Sequence, residues 1–141
     1  MRLQADQRGY KNAFKKHYHA FSNWQATGSD PSKRLILVYC VECGLKYEVM
    51  KKERLNKTTD AQDDIQNDLR SHDLRRLLKR LNKAGVYTFP PIETKYGHPV
   101  HPEEYHQFCR YCIPSDERYI SAVHQFDNTL EEIAKWIEEG V

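Results

Sequence analysis

The chain has 141 residues, 39% hydrophobic and 30% charged, the size and balance of one globular domain rather than two. Lys and Arg number 22 against 20 Asp and Glu, and a net charge of +2 excludes a dedicated, non-specific coater of DNA while leaving room for a local phosphate site. No window approaches about 18 uncharged apolar residues. The polar start Met1-Arg2-Leu3-Gln4 also lacks the apolar core of a secretory signal, so the expectation is a soluble cytoplasmic protein with no membrane association. In that compartment the four Cys are expected as thiols or metal ligands rather than as a disulfide framework.

From Gln4 to Trp24 the large rings Tyr10, Phe14, Tyr18, Phe21 and Trp24 recur every three or four residues, the spacing of one helix face turned to a core. Thr27-Gly28-Ser29-Asp30-Pro31 reads as a turn, an N-cap carboxylate and a proline at the first helical position. A second helix is expected from Pro31 to about Arg54. It is apolar almost all round between Leu35 and Cys43, and therefore central. Lys57 to Asn67 is polar and acidic, a loop with at most a short helix. Ser71-His72-Asp73 opens a third clear helix with the stripe Leu74, Leu77, Leu78 and Leu81, and Gly85 is placed to end it.

Residues 86–114 hold five of the six prolines and are read as an irregular insertion rich in His, Cys and Pro. Ser115-Asp116-Glu117 then caps a last helix carrying Val123, Phe126, Leu130, Ile133 and Ile137, which Gly140 terminates. The fold class that follows is an all-α bundle of four to five helices with an insertion before the last one, a single domain over residues 1–141.

Three segments carry a resemblance. Tyr39-Cys40-Val41-Glu42-Cys43-Gly44-Leu45-Lys46 resembles the E-C-A-L-K helix of prokaryotic HEPN domains, the higher eukaryote and prokaryote nucleotide-binding family. His72-Asp73-Leu74 followed by Leu77-Leu78 is similar to the H-D-L-x-x-L-L start of a later helix in that family. Glu117-Arg118-Tyr119 before a long amphipathic helix resembles its R-Y segment. The order and approximate spacing of all three agree with the family, and only residues 86–114 fall outside the likeness.

The resemblance implies a helical bundle, commonly a homodimer. Such a domain is either a metal-independent endoribonuclease of the toxin or phage-defence kind or a non-catalytic module. As a module it would be an antitoxin, immunity or accessory protein, including a partner of a nucleotidyltransferase or another defence-system protein. Catalytic members carry Arg, four to six residues, then His, and Arg118 and His124 with five residues between them meet that rule.

Cleaving RNA without a metal needs a base for the 2′-OH proton and a cation for the growing phosphate charge, and these roles fall to His124 and Arg118. Six helical positions turn by about 240° and rise about 9 Å, so the two side chains share no face of an ideal helix and would meet by an Arg swing or across a dimer axis. Tyr119 stands where the RNases usually have a small polar residue, which favours the non-catalytic alternative. On that alternative Arg118 pairs with a neighbouring carboxylate and His124 is a half-buried surface histidine. Glu42, the one acid within the apolar run, and His72 are supporting candidates, with a structural ion pair or a helix start as their plainer reading.

Two further patterns remain. Arg75, Arg76, Lys79, Arg80 and Lys83 crowd one leucine-backed helix and are candidate RNA-phosphate contacts, or a solvated face neutralised by the acids of 60–68. His98-x-x-His101 and Cys109-x-x-Cys112 have the spacing of a structural Zn site, against a loop whose His and Cys are packed or solvated. No other cofactor is expected. Cys40 and Cys43, in mid-helix, read as small core residues.

Overall fold

The computed structural model describes residues 5–25 and 30–141. Helix α1 (Gln7–Ser22) starts where the Asp6 carboxylate accepts the Gly9 N–H at 2.7 Å. Phe14 is buried, Tyr10, Tyr18 and Phe21 pack part-buried beside it, and Trp24 lies beyond the helix end. The ring spacing therefore set the inward face correctly and overran the C-terminus. Helix α2 (Pro31–Lys52) has Asp30 as its cap, accepting the Ser32 N–H at 2.8 Å, and Pro31 in the first turn. Thr27, Gly28 and Ser29, read as part of the preceding turn, lie outside the described residues.

Leu37, Val38, Cys40, Val41, Leu45, Val49 and Met50 bury α2 at the centre, where it packs against α1 and three of the later helices. Arg54, expected as the last helical residue, instead takes a left-handed conformation (φ 56°) past the helix end.

The acidic segment forms a 3₁₀ turn (Thr58–Asp60) and a helix α3 (Asp63–Arg70) whose first turn carries Asp63 and Asp64 against the positive end of the dipole. In α4 (Leu74–Arg80) Asp73 caps by accepting the Arg75 N–H at 3.0 Å, and Leu74, Leu77 and Leu78 are buried. Here the expected stop was wrong. Asn82 takes the left-handed conformation (φ 57°), Lys83 N–H returns to the Leu78 carbonyl at 2.9 Å, and Gly85 lies beyond. Asp73→Ala removes the cap and is expected to lower stability by about 1 kcal/mol, read as a shift of the urea midpoint at constant slope; an unchanged midpoint would show that the cap is idle.

The stretch 86–114, expected to be irregular, holds short regular elements between irregular segments. Strands β1 (Ile92–Glu93) and β2 (Pro99–Val100) pair antiparallel with Ile92 opposite Val100, and Pro102–Glu104 forms a 3₁₀ turn leading into helix α5 (Tyr105–Arg110). Aromatic packing holds it to the bundle. Tyr105 stacks on Phe126 at 3.9 Å between ring centroids, Phe89 approaches the same ring at 4.5 Å, and Tyr87 meets Trp136 at 6.0 Å. Asp116 then caps a 3₁₀ turn (Glu117–Tyr119) that runs into helix α6 (Ile120–Glu139), with Gly140 at its end.

The architecture is a helical bundle with one two-stranded sheet. Among the described residues no helix is long and apolar enough to cross a membrane.

Candidate active site

The structure separates the two candidate sets that the sequence raised. Arg118 is 75% exposed, and its guanidinium is held by the carboxylate of Asp116, with Nε to Oδ1 at 3.0 Å and Nη2 to Oδ2 at 3.3 Å. Its remaining face lies 5.8 Å from the centre of the Tyr119 ring, and the Tyr119 hydroxyl donates to Glu93. The paired fork keeps the Asp116 carboxyl below its usual range. His124 is an exposed residue of α6 whose charge is felt at Asp127, three positions on. Asp127 is itself pushed up by burial and accepts the Tyr105 hydroxyl at 2.5 Å, while Arg34 and His124 act to lower it. The arginine of the Arg–His rule is thus already engaged by a carboxylate two residues away.

Glu42 of α2 and His72 of the link before α4, 30 residues apart in the chain, are brought together. His72 Nδ1 lies 2.8 Å from Glu42 Oε1, and Lys46 Nζ lies 3.4 Å from Glu42 Oε2. The local reasons are plain. Glu42 and Lys46 are one turn apart on α2 and share a face. The extended residue Asp73 that caps α4 leaves His72 just outside the helix, free to reach across. Glu42 is 12% exposed and His72 is 54% exposed, so the carboxylate is sheltered and the imidazole faces solvent. One ring nitrogen is held by a carboxylate and the other edge is open, which is how a general base is oriented.

Two residues that sequence reasoning missed complete the cluster. His106 of α5 is buried, with its ring centre 4.6 Å from that of His72. Arg110, one turn on, is exposed and donates to the Tyr39 hydroxyl on α2. The missed signal was the spacing itself: Tyr105, Phe108 and Cys109 turn inward at i, i+3 and i+4, a helix pattern hidden by the surrounding prolines.

Burial pushes the His106 imidazole below its ordinary pKa, as do the neighbouring His72 and Arg110, against an opposing pull from Glu42. Burial lowers His17 in the same way. The unfolded chain binds protons on these groups near pH 6.5, before the folded protein does, so stability falls as pH drops through and below about 6.5. The melting temperature is expected to decline between pH 7.5 and 5.5, and less steeply in His106→Gln; equal slopes for the two proteins would contradict this origin.

The basic face of α4 is largely paired. Arg80 bridges Asp68 and Asp64 (3.1 Å to the latter), Arg76 lies 3.6 Å from Asp68, and Arg75 contacts Asp73 and Glu103. Lys79 lines a polar groove of about 480 Å³ with Asp68, Arg76 and Arg80, and Lys83 covers the Trp136 ring at 5.3 Å. The acids of α3 therefore pair with Arg76 and Arg80, two of the five residues that were read as RNA contacts.

Among the described residues no three His, Cys, Asp or Glu side chains are grouped to hold a metal ion. His98, His101, Cys109 and Cys112 consequently do not form the expected tetrahedral set. Cys109 points into the core, where burial pushes its thiol up to about 12, while Cys112 is exposed past the helix end at φ 50°. Cys40 is buried in the core as expected.

The chain matches no model of a known protein family, no curated protein and no solved structure.

Proposed function

We propose that the protein is a HEPN-like, metal-independent endoribonuclease of the toxin or phage-defence kind, acting as a homodimer, with its reactive centre at Glu42 and His72 rather than at Arg118 and His124. The observation that carries the reading is the 2.8 Å contact that holds His72 Nδ1 on the sheltered Glu42 carboxylate. The two residues also belong to two of the three segments that resemble HEPN domains.

In the proposed reaction, His72 Nε2 takes the proton of a ribose 2′-OH. The 2′ oxygen attacks the adjacent phosphorus, the bond to the 5′ oxygen breaks, and that oxygen takes up a proton from solvent. The products are a 2′,3′-cyclic phosphate and a 5′-OH end. Glu42 fixes the His72 tautomer and stabilises the imidazolium that forms. Arg110, exposed one turn beyond His106 and close enough for its charge to act on that ring, supplies the phosphate cation. His106, kept neutral by burial, packs against His72 and orients its ring.

The alternative is a non-catalytic HEPN-like module that works through its surface as an antitoxin, immunity or accessory protein beside a nucleotidyltransferase or other defence protein. The engagement of Arg118 by Asp116 and the ion-paired α4 face are what favour it. Incubation of purified protein with RNA in EDTA separates the readings: cleavage lost in His72→Ala but kept in His124→Ala supports the proposal, and no cleavage by the wild type leaves the module.

A further inference from the structure

We propose that the groove between the β1–β2 hairpin and α5 is a base-recognition subsite that takes guanine; this rests on, and deepens, the reading of the neighbouring cluster as an RNA-cleaving centre. One wall is a turn that cannot easily move. The Thr94 hydroxyl accepts the N–H groups of Tyr96 (3.3 Å) and His98 (3.2 Å), Thr94 N–H donates to the His98 carbonyl at 2.8 Å, and Gly97 supplies the left-handed residue at φ 82°. The hairpin is fastened to the chain before α6 by Lys95 N–H to Pro114 O (2.8 Å) and Asp116 N–H to Glu93 O (3.0 Å). This bracing holds the Tyr96 ring in solvent, 72% exposed, at the mouth of a cavity of about 290 Å³. The opposite wall is the 3₁₀ turn and α5, which contribute Glu104 and, from the helix, Gln107 and Phe108, with His98 and Val100 also lining the cavity.

A cavity of this size lies at the lower edge of the roughly 300–1,000 Å³ of ligand pockets, suited to one heterocycle. Apolar and aromatic walls accept the faces of any base, so the rim decides which one. Glu104 and Gln107 stand one turn apart on that rim. Glu104 Oε1 accepts the His101 N–H at 3.2 Å, which orients the carboxylate. A carboxylate matches two adjacent N–H donors, and among the four bases guanine presents such a pair on its Watson–Crick edge. The Gln107 amide can donate to the guanine carbonyl. A site built to pair these donors discriminates strongly against bases that lack them.

The position fits the chemistry next door. Gln107, on the groove, follows His106 in the chain, so helix α5 carries both a wall of the groove and the ring that packs against His72. Cleavage is therefore expected on the 3′ side of guanine in single-stranded RNA.

The test uses guanosine 3′-monophosphate, with the adenosine, cytidine and uridine analogues as controls, titrated against the full chain by calorimetry. Binding of guanosine 3′-monophosphate to the wild type is expected to exceed that of the other three nucleotides. Tyr96→Ala, at an exposed position that leaves the fold intact, should weaken it roughly tenfold through lost stacking. Glu104→Gln should erase the preference over the adenosine analogue. Binding of guanosine monophosphate without RNA cleavage would uphold the subsite and overturn the nuclease. Cleavage without base preference, together with equal binding of all four nucleotides or of none, would overturn the subsite and leave the nuclease standing.

Discussion

His72→Ala is expected to lower RNA cleavage by about 10²–10⁴-fold, the range over which a positioned acid–base group contributes. The chain should stay folded, because His72 is more than half exposed and its loss leaves Glu42 paired with Lys46. Glu42→Gln keeps the shape of the side chain and removes the charge that fixes the imidazole. It should reduce the turnover number more than the affinity for RNA, since it acts on the imidazolium that forms during reaction. Arg110→Ala should lower cleavage roughly 10²-fold, whereas Arg118→Ala and His124→Ala should remain within about twofold. Initial rates on a fluorogenic RNA check the ranking, and the reverse order would return the site to the start of α6.

The second large effect is on stability. Gly44 lies where α1, α2 and α6 meet, and a Cβ there would stand 2.7 Å from both Ile137 Cδ1 and Phe14 Cδ1. Both neighbours are buried in the core and have little space into which to move. Alanine gains about 1 kcal/mol in helix propensity over glycine, but overpacking a filled core costs about 1–3 kcal/mol. Gly44→Ala is therefore expected to be destabilised by up to about 2 kcal/mol, and Gly44→Val by more. Pairing Gly44→Ala with Ile137→Val should recover part of the loss. A Gly44→Ala protein melting at or above the wild-type temperature would contradict the close approach.

Much of the bundle was legible from pattern. The inward face of α1, the Asp30–Pro31 start of α2, the leucines of α4 and the apolar stripe of α6 all follow from periodicity and caps. Helix α5 was not, because Pro102 was read as a breaker although it stands at the start of a helical turn, where its missing N–H is harmless. The stop at Asn82 was missed for a related reason: glycine is the usual left-handed residue, and Asn82 takes that conformation three residues before Gly85.

The candidate site divides in the same way. Glu42 and His72 were legible one at a time, but their contact is a tertiary fact, and His106 and Arg110 lie in the segment taken as irregular. The engagement of Arg118 by a neighbouring carboxylate was one of the two readings the sequence offered, and its partner is local. Asp116 precedes Arg118 by two positions at a helical start, and Asp73 with Arg75 repeats the arrangement, each carboxylate both capping the turn and binding the arginine.

The central claim is that a carboxylate-held His72 cleaves RNA without a metal. End analysis of RNA incubated with the wild type, His72→Ala and His124→Ala in EDTA tests it most directly. The expected result is 2′,3′-cyclic phosphate ends from the wild type and from His124→Ala, and none above background from His72→Ala. Cleavage that EDTA abolishes, or that persists in His72→Ala and disappears in His124→Ala, would contradict it.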